Sequence, residues 1–156
     1  MARAKIIFTN SRGDSVTLDS KPFKLLWIDG TGGTFADVQT QKAPYQDGQT
    51  YIDSLFEQRY LELELAIFGS SREEVFQLRR QLTNIFNPKL GPGILRYEYP
   101  GGVREIEAVP ETTPSFPIGV QNSSGGFQRV FITLICPVPF WLDPLEQVVK
   151  LEDFVA

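Results

Sequence analysis

Residues 59–88 read RYLELELAIFGSSREEVFQLRRQLTNIFNP, and their periodicity changes once. In the first third, Leu61, Leu63, Leu65 and Ile67 fall on one side of a two-residue repeat, with Glu62 and Glu64 on the other. That alternation is a half-buried β-strand with an apolar inner face and a charged outer one. At Gly69 the period lengthens. Val75, Leu78, Leu82, Ile85 and Phe86 recur at helical spacing, an apolar stripe roughly 100° wide that suits a surface helix lying on a core. Ser71 followed three residues later by Glu74 is a capping-box signature, and Asn87-Pro88 stops the helix. The spacing predicts a helix over about Arg72–Phe86, and no other stretch carries a convincing helical pattern.

Working outward, the remaining signals are those of strands and turns. Lys5–Thr9 and Val16–Leu18 flank NSRGDS, whose Asn, Gly and Asp favour a turn, so the N-terminal part is read as a hairpin. The Arg12-Gly13-Asp14 triplet is explained by turn chemistry more cheaply than by cell adhesion. Phe23–Ile28 is a continuous apolar strand in which Trp27 is expected in the core. After Gly91-Pro92-Gly93, the runs ILRYEY and VREIEAV flank Pro100-Gly101-Gly102 as a second hairpin. There Leu95, Tyr97 and Tyr99 share a face, as do Ile106 and Ala108. Phe127–Cys136 is nearly all apolar and is expected at the centre of a sheet. Prolines in the 110–126 loop and in PVPFWLDP are expected to lie outside strands.

Six or seven strands and one helix predict a mainly β (α+β) domain, a β-sandwich or split barrel with the helix over one face or end. Residues 29–58 stand apart. They hold four glycines, a proline and many small polar residues, with a short strand at most near Phe35–Thr40. The Gly30, Gly32, Gly33 cluster lacks the Lys-Ser/Thr of a phosphate loop and no helix follows it. An extended loop is expected here, and loops of this length in compact domains usually serve a function.

Composition narrows the chemistry. The chain has 156 residues, 42% hydrophobic and 22% charged, the balance of an ordinary globular domain. A net charge of −4 disfavours a nucleic-acid binder, which needs a basic face. No apolar run is long enough for a membrane span or a signal peptide, so synthesis in a cytoplasm is expected. There is no histidine, which removes the commonest general base and metal ligand, and Cys136 is the one cysteine, expected as a buried structural thiol. The strand carboxylates Glu62/Glu64 and Glu105/Glu107 fit a solvated face better than an acid–base pair. The helix's polar face mixes Glu73 and Glu74 with Arg79 and Arg80, unlike a membrane-surface helix. No catalytic residue, metal or cofactor is expected.

The order of these elements carries a resemblance. The N-terminal hairpin, the apolar strand, the Gly-rich loop, LELELAIFGSSREEVFQLRRQLTNIFNP, GILRYEYPGG and the terminal CPVPFWLDP together resemble the N-terminal domain of siphophage distal tail proteins. It spans nearly the whole chain, and its most specific parts are residues 61–88 and Pro139-Phe140-Trp141. The resemblance implies a ring-forming domain over residues 1–144, assembled as a hexameric ring, with residues 145–156 as a tail or linker stub. It further implies a virion component made in the bacterial host, partners in a tail tube protein and a tail-tip hub protein, and DNA passing through the lumen without membrane contact. The 29–58 loop would act as a belt on the neighbouring subunit. Thr31, Gly33, Phe35, Tyr45 and Tyr51 are the expected interface residues, because aromatic side chains are enriched at interfaces. Many relatives continue into a galectin-like second domain, whereas this chain ends at Ala156, so either a ring-only form or a chain cut after its first domain is expected. Two alternatives stay open: another tail ring, tube or completion subunit, and a monomeric carbohydrate-binding β-sandwich using Trp27, Trp141 or the tyrosines.

Overall fold

The computed structural model describes residues 5–19, 21–33 and 35–144. The described strands run β1 (Lys5–Thr9), β2 (Ser15–Leu18), β3 (Phe23–Asp29), β4 (Ala36–Gln41), β5 (Thr50–Phe56) and β6 (Arg59–Phe68). The helix α1 (Arg72–Ile85) and a single 3-10 turn (Pro88–Leu90) follow. The chain continues through β7 (Gly93–Tyr99), β8 (Gly102–Pro110), β9 (Ser123–Ser124) and β10 (Phe127–Cys136).

Eight strands form one folded-over antiparallel sheet in the order β2-β1-β7-β8-β10-β6-β3, with β9 alongside β10. The order is open: among the described residues no ladder joins β2 to β3. The result is a two-layer, sandwich-like β domain rather than a closed barrel. Strand β8 joins the layers. It pairs with β7 along Gly102–Ala108, then with β10 only through Val109↔Ile135 and Pro110↔Leu134. Pro110 thus ends a strand instead of lying in the following loop, a position open to proline where the ladder stops.

The alternation read from 61–67 sets the register of the second layer. Strand β6 pairs with β10 over ten consecutive residues, from Arg59↔Cys136 to Phe68↔Phe127. Leu61, Leu63, Leu65 and Ile67 point inward with Val130, Ile132, Leu134 and Cys136, all buried. β10 is central, as expected, with β6 on one side and β8 and β9 on the other. Glu64 faces outward and forms an ion pair with Arg129 at 3.0 Å.

Helix α1 lies on this core through Val75, Leu82, Ile85 and Phe86, and Leu78 is partly buried against it. Phe86 stacks on Phe8 of β1 with ring centroids 4.6 Å apart. The N-terminus departs from the expected box by one residue. Ser71 Oγ accepts from the Glu74 N–H at 3.2 Å, but the Glu74 carboxylate reaches the Ser70 N–H at 3.0 Å. The Ser70 hydroxyl also donates to that carboxylate and, with the backbone bond, holds its pKa low. Leu82 is fully buried, so Leu82→Ala should cost about 2–5 kcal/mol in a denaturant titration, and a near-neutral change would contradict this packing.

The NSRGDS turn is organised by Asn10. Its Oδ1 accepts from the Arg12 and Asp14 N–H groups at 3.0 Å each, and its Nδ2 donates to the Ile85 carbonyl at 3.3 Å. One buried side chain therefore shapes the turn and ties it to the end of α1. Cys136 is fully buried, and its thiol is pushed up to about 11 by desolvation, with the charge of Arg59 opposing and Glu107 adding to the rise. Below the unfolded value of 9.0 the thiol is neutral folded or unfolded. Between 9.0 and about 11 only the unfolded chain loses the proton, so stability falls as pH rises through that window. A maleimide at pH 8 should label Cys136 only after denaturation, and rapid labelling of the native protein would refute this burial.

Three expectations need correcting. Trp27 is 48% exposed rather than in the core. A register shift between Leu25 and Trp27 leaves Leu25 opposite Leu65 but puts Trp27 opposite Glu64, on the outer face. An extra residue in a strand turns every later side chain to the other side, and an apolar run gives no sign of it. The strand number exceeds six or seven, because short strands such as β9 fall below what a pattern can show. In residues 29–58 the short strand expected near Phe35–Thr40 is present as β4, but it is paired with a second strand, β5, so the extended loop is a hairpin. The reading of 145–156 as a tail falls outside the described residues.

Candidate functional site

The chain leaves the main sheet at Asp29, the end of β3, and rejoins it at Arg59, the start of β6. Between them β4 and β5 pair only with each other. Every residue of both strands is exposed. The register Ala36↔Phe56, Val38↔Ser54 and Thr40↔Tyr51 collects Ala36, Val38, Tyr51 and Phe56 on one face. The opposite face sets Asp37 across from Leu55 and Gln39 across from Asp53. A shift between Gln39 and Thr40 leaves Ile52 as the extra residue. At the tip, Gln46 accepts the Ala43 N–H at 2.9 Å and donates to Thr50 Oγ1 at 2.9 Å. Tyr45 (φ 63°) and Gly48 (φ 73°) take the left-handed conformations that turn the chain.

This hairpin has a defined backbone and no core of its own. A two-stranded hairpin alone in water is marginally stable at best. Here Val38, Tyr51, Ile52, Leu55 and Phe56 are each more than half exposed. Contiguous apolar surface left exposed in this way is characteristic of interaction sites.

Its root is fixed by Arg59, which is only 7% exposed. Arg59 Nε donates to the Pro139 carbonyl at 3.0 Å, and Nη1 donates to the Gly30 and Gly32 carbonyls, both at 2.6 Å. The guanidinium also lies 5.9 Å from the Trp141 ring centroid. Three carbonyls from two segments thus satisfy one buried cation, a fan of donors that arginine can supply and lysine cannot. The Glu57 N–H donates to the Phe35 carbonyl at 2.8 Å, and Phe56 meets Phe140 edge-on at 5.4 Å. Beside the root lies a cleft of about 200 Å³ lined by Asp29, Gly33, Phe35, Tyr60 and Glu62.

The five expected interface residues divide between the root and the hairpin. Thr31, Gly33 and Phe35 belong to the root, with Thr31 half-buried and Phe35 82% exposed. Tyr51 lies in β5, and Tyr45 stands fully exposed at the tip. The structure therefore spreads these residues along one projection, with only Gly33 and Phe35 meeting at the cleft beside its root. Arg59, Phe56 and Phe140 were missed as contributors. The Pro139-Phe140-Trp141 motif marked the right region, but nothing in the sequence linked it to residue 59, eighty positions away.

Residues 11–136 match the model of a family described as the phage tail protein RIFT-related domain. The chain belongs to this phage tail family. The match runs from the β1–β2 turn to the last residue of β10, so it includes the hairpin, α1 and both layers. Among solved structures, this tail domain is similar to the Dit protein of phage SPP1, described as a paradigm of the hub adsorption apparatus in phages infecting Gram-positive hosts. The TM-score is 0.69 at 15% identity, covering 92% of this chain and 53% of that one. It is also similar to chains of the phage p2 baseplate in its activated conformation. With strontium the TM-score is 0.67 at 16% identity, and with calcium 0.67 at 17%, each covering 90% of this chain and 46% of that one. At such identities the likeness is one of fold. The tail domain spans about half the length of these solved chains. No curated protein sequence matches it.

Proposed function

We propose that this tail-family domain is a structural subunit of a ring, six copies in a closed circle, at the distal end of a phage tail between the tail tube protein and the tip hub protein. The observation that carries the reading is the β4–β5 hairpin, whose apolar side chains stay more than half exposed on their own domain even where Phe56 meets Phe140. A neighbouring subunit supplies their cover, with Thr31, Gly33, Phe35, Tyr45 and Tyr51 in the contact. A projection from one place on a subunit that fits a different place on the next is a heterologous contact, and such contacts close into rings when the rotation permits. The domain works as virion architecture, with no catalytic step, cofactor or metal. A net charge of −4 suits a lumen that lets DNA pass without holding it.

The test is to replace residues 33–47 with a short Gly-Ser linker and measure mass in solution alongside the melting temperature. The expected result is a folded protein that no longer forms rings. A shortened protein that assembles normally would rule out the belt, and an unaltered protein that stays monomeric at all concentrations would count against the ring itself.

A second reading rests on Trp27, Tyr60 and Phe131, which are 48%, 47% and 41% exposed on the outer face of the second layer. Such a face would suit stacking on a sugar ring. Tryptophan fluorescence titrated with neutral oligosaccharides separates the two, since a saturable change in a monomeric protein would favour sugar binding.

A further inference from the structure

Helix α1 carries a cationic cluster that its own domain leaves unpaired. Arg72, Phe76 and Arg79 share one face at i, i+4 and i+7. The Arg72 and Arg79 guanidiniums lie 5.0 and 4.7 Å from the Phe76 ring centroid, and Arg79 lies 4.4 Å from that of Phe116. Two like charges thus bracket one ring that is itself 48% exposed. Among the described residues no carboxylate pairs with either arginine, and Arg72 Nη1 is buried without a hydrogen-bond partner. Desolvation and then repulsion from Arg72 push the pKa of Arg79 down. The aromatic rings of Phe76 and Phe116 are thus the apolar part of the patch and the two guanidiniums its charged part.

The hairpin's Leu55 face has the opposite arrangement. Leu55 is 56% exposed, Asp37 stands directly across from it, and Asp53 lies two residues along on the same face. Diagonal neighbours on an antiparallel pair are roughly 7–8 Å apart. Arg72 and Arg79 are separated by about 10 Å along the helix, a difference that their long side chains can absorb. An apolar centre between two carboxylates therefore matches an aromatic centre between two guanidiniums.

Within one chain the two surfaces stay apart. The hairpin springs from the Arg59 end of β6 and α1 follows the Phe68 end, and among the described residues no ion pair joins Asp37 or Asp53 to Arg72 or Arg79. We propose that the Leu55 face of the hairpin docks on the Arg72–Phe76–Arg79 face of α1 in a second copy of this chain, Asp37 and Asp53 pairing with the two arginines. This rests on the ring reading and gives an acceptor to the Leu55 face alone, Tyr51 lying on the opposite face of the hairpin.

Charge reversal tests it, with mass measured across a concentration series and folding checked by melting temperature. Asp53→Arg and Arg79→Glu should each raise the concentration needed for half-assembly about tenfold or more, and the double variant should recover most of that loss. Because Asp53 is exposed in a hairpin outside the core, Asp53→Arg keeps the test sound even if Arg79→Glu folds poorly. If the unaltered chain forms rings and Asp53→Arg forms them equally well, this docking is overturned while the ring stands. A double variant no better than the worse single variant overturns it too. An unaltered chain that never assembles removes the ring reading and this one together.

Discussion

Arg59→Ala is expected to lower the stability of the folded domain by about 3 kcal/mol, among the largest effects of any single polar substitution here. Its side chain is nearly fully buried and donates to the carbonyls of Gly30, Gly32 and Pro139. Hydrogen bonds from a charged donor are worth about 1.5–3 kcal/mol each in favourable cases, and removing the donor leaves the carbonyls unpaired. Some of those carbonyls are only part-buried and can take up water, which keeps the estimate below a simple sum. Arg59→Lys should recover part of the loss, because one ammonium cannot reach all three acceptors in the same geometry. Both variants should keep the helix signal in circular dichroism, since α1 lies beyond the far end of β6. If Arg59→Ala melts like the parent, the root is held by something other than this side chain.

Gly30→Ala should have an effect of similar size for a different reason. Gly30 sits at φ +94°, and a Cβ there would fall 2.1 Å from the Tyr60 carbonyl oxygen. That oxygen is backbone in a paired strand and cannot rotate away, so either β3 or β6 must shift. A loss of about 3 kcal/mol or more is expected in urea titration. Gly33→Ala is the control, because nothing lies within 4 Å of its Cβ position and its backbone is ordinary. That variant should stay within about 0.5 kcal/mol of the parent. Equal losses at both positions would point to general flexibility of the segment instead of a collision at Gly30.

The layered β architecture with its one helix was legible because burial imposes a period, and residues 59–88 carry both periods in full. The helix boundaries followed from Ser71, whose side chain caps the first turn of α1, and from Asn87-Pro88, where Asn87 caps the 3-10 turn that replaces the helix. What failed were features that burial does not pattern. Trp27 turned outward through one unmatched residue, and an apolar run reads the same with or without it. Strand β5 escaped, and β4 was legible only as a short strand near Phe35–Thr40, because both of their faces are exposed and no alternation between inside and outside had been imposed on them. The aromatic side chains Phe35, Tyr45 and Tyr51 of residues 29–58 are all exposed, as side chains held for a contact would be. Arg59 could not be placed, since its acceptors are backbone carbonyls and any residue supplies one of those.

The way the hairpin is rooted also determines how the domain would bear a pull. β5 runs through Glu57 and Gln58 directly into β6, and β6 is bonded to β10 over ten successive residues. Hydrogen bonds in an antiparallel pair lie perpendicular to the strands. Tension along the hairpin therefore loads that ladder lengthwise, so that its bonds share the force together instead of opening one after another from an end. A load applied to the hairpin would meet a joint that resists sliding.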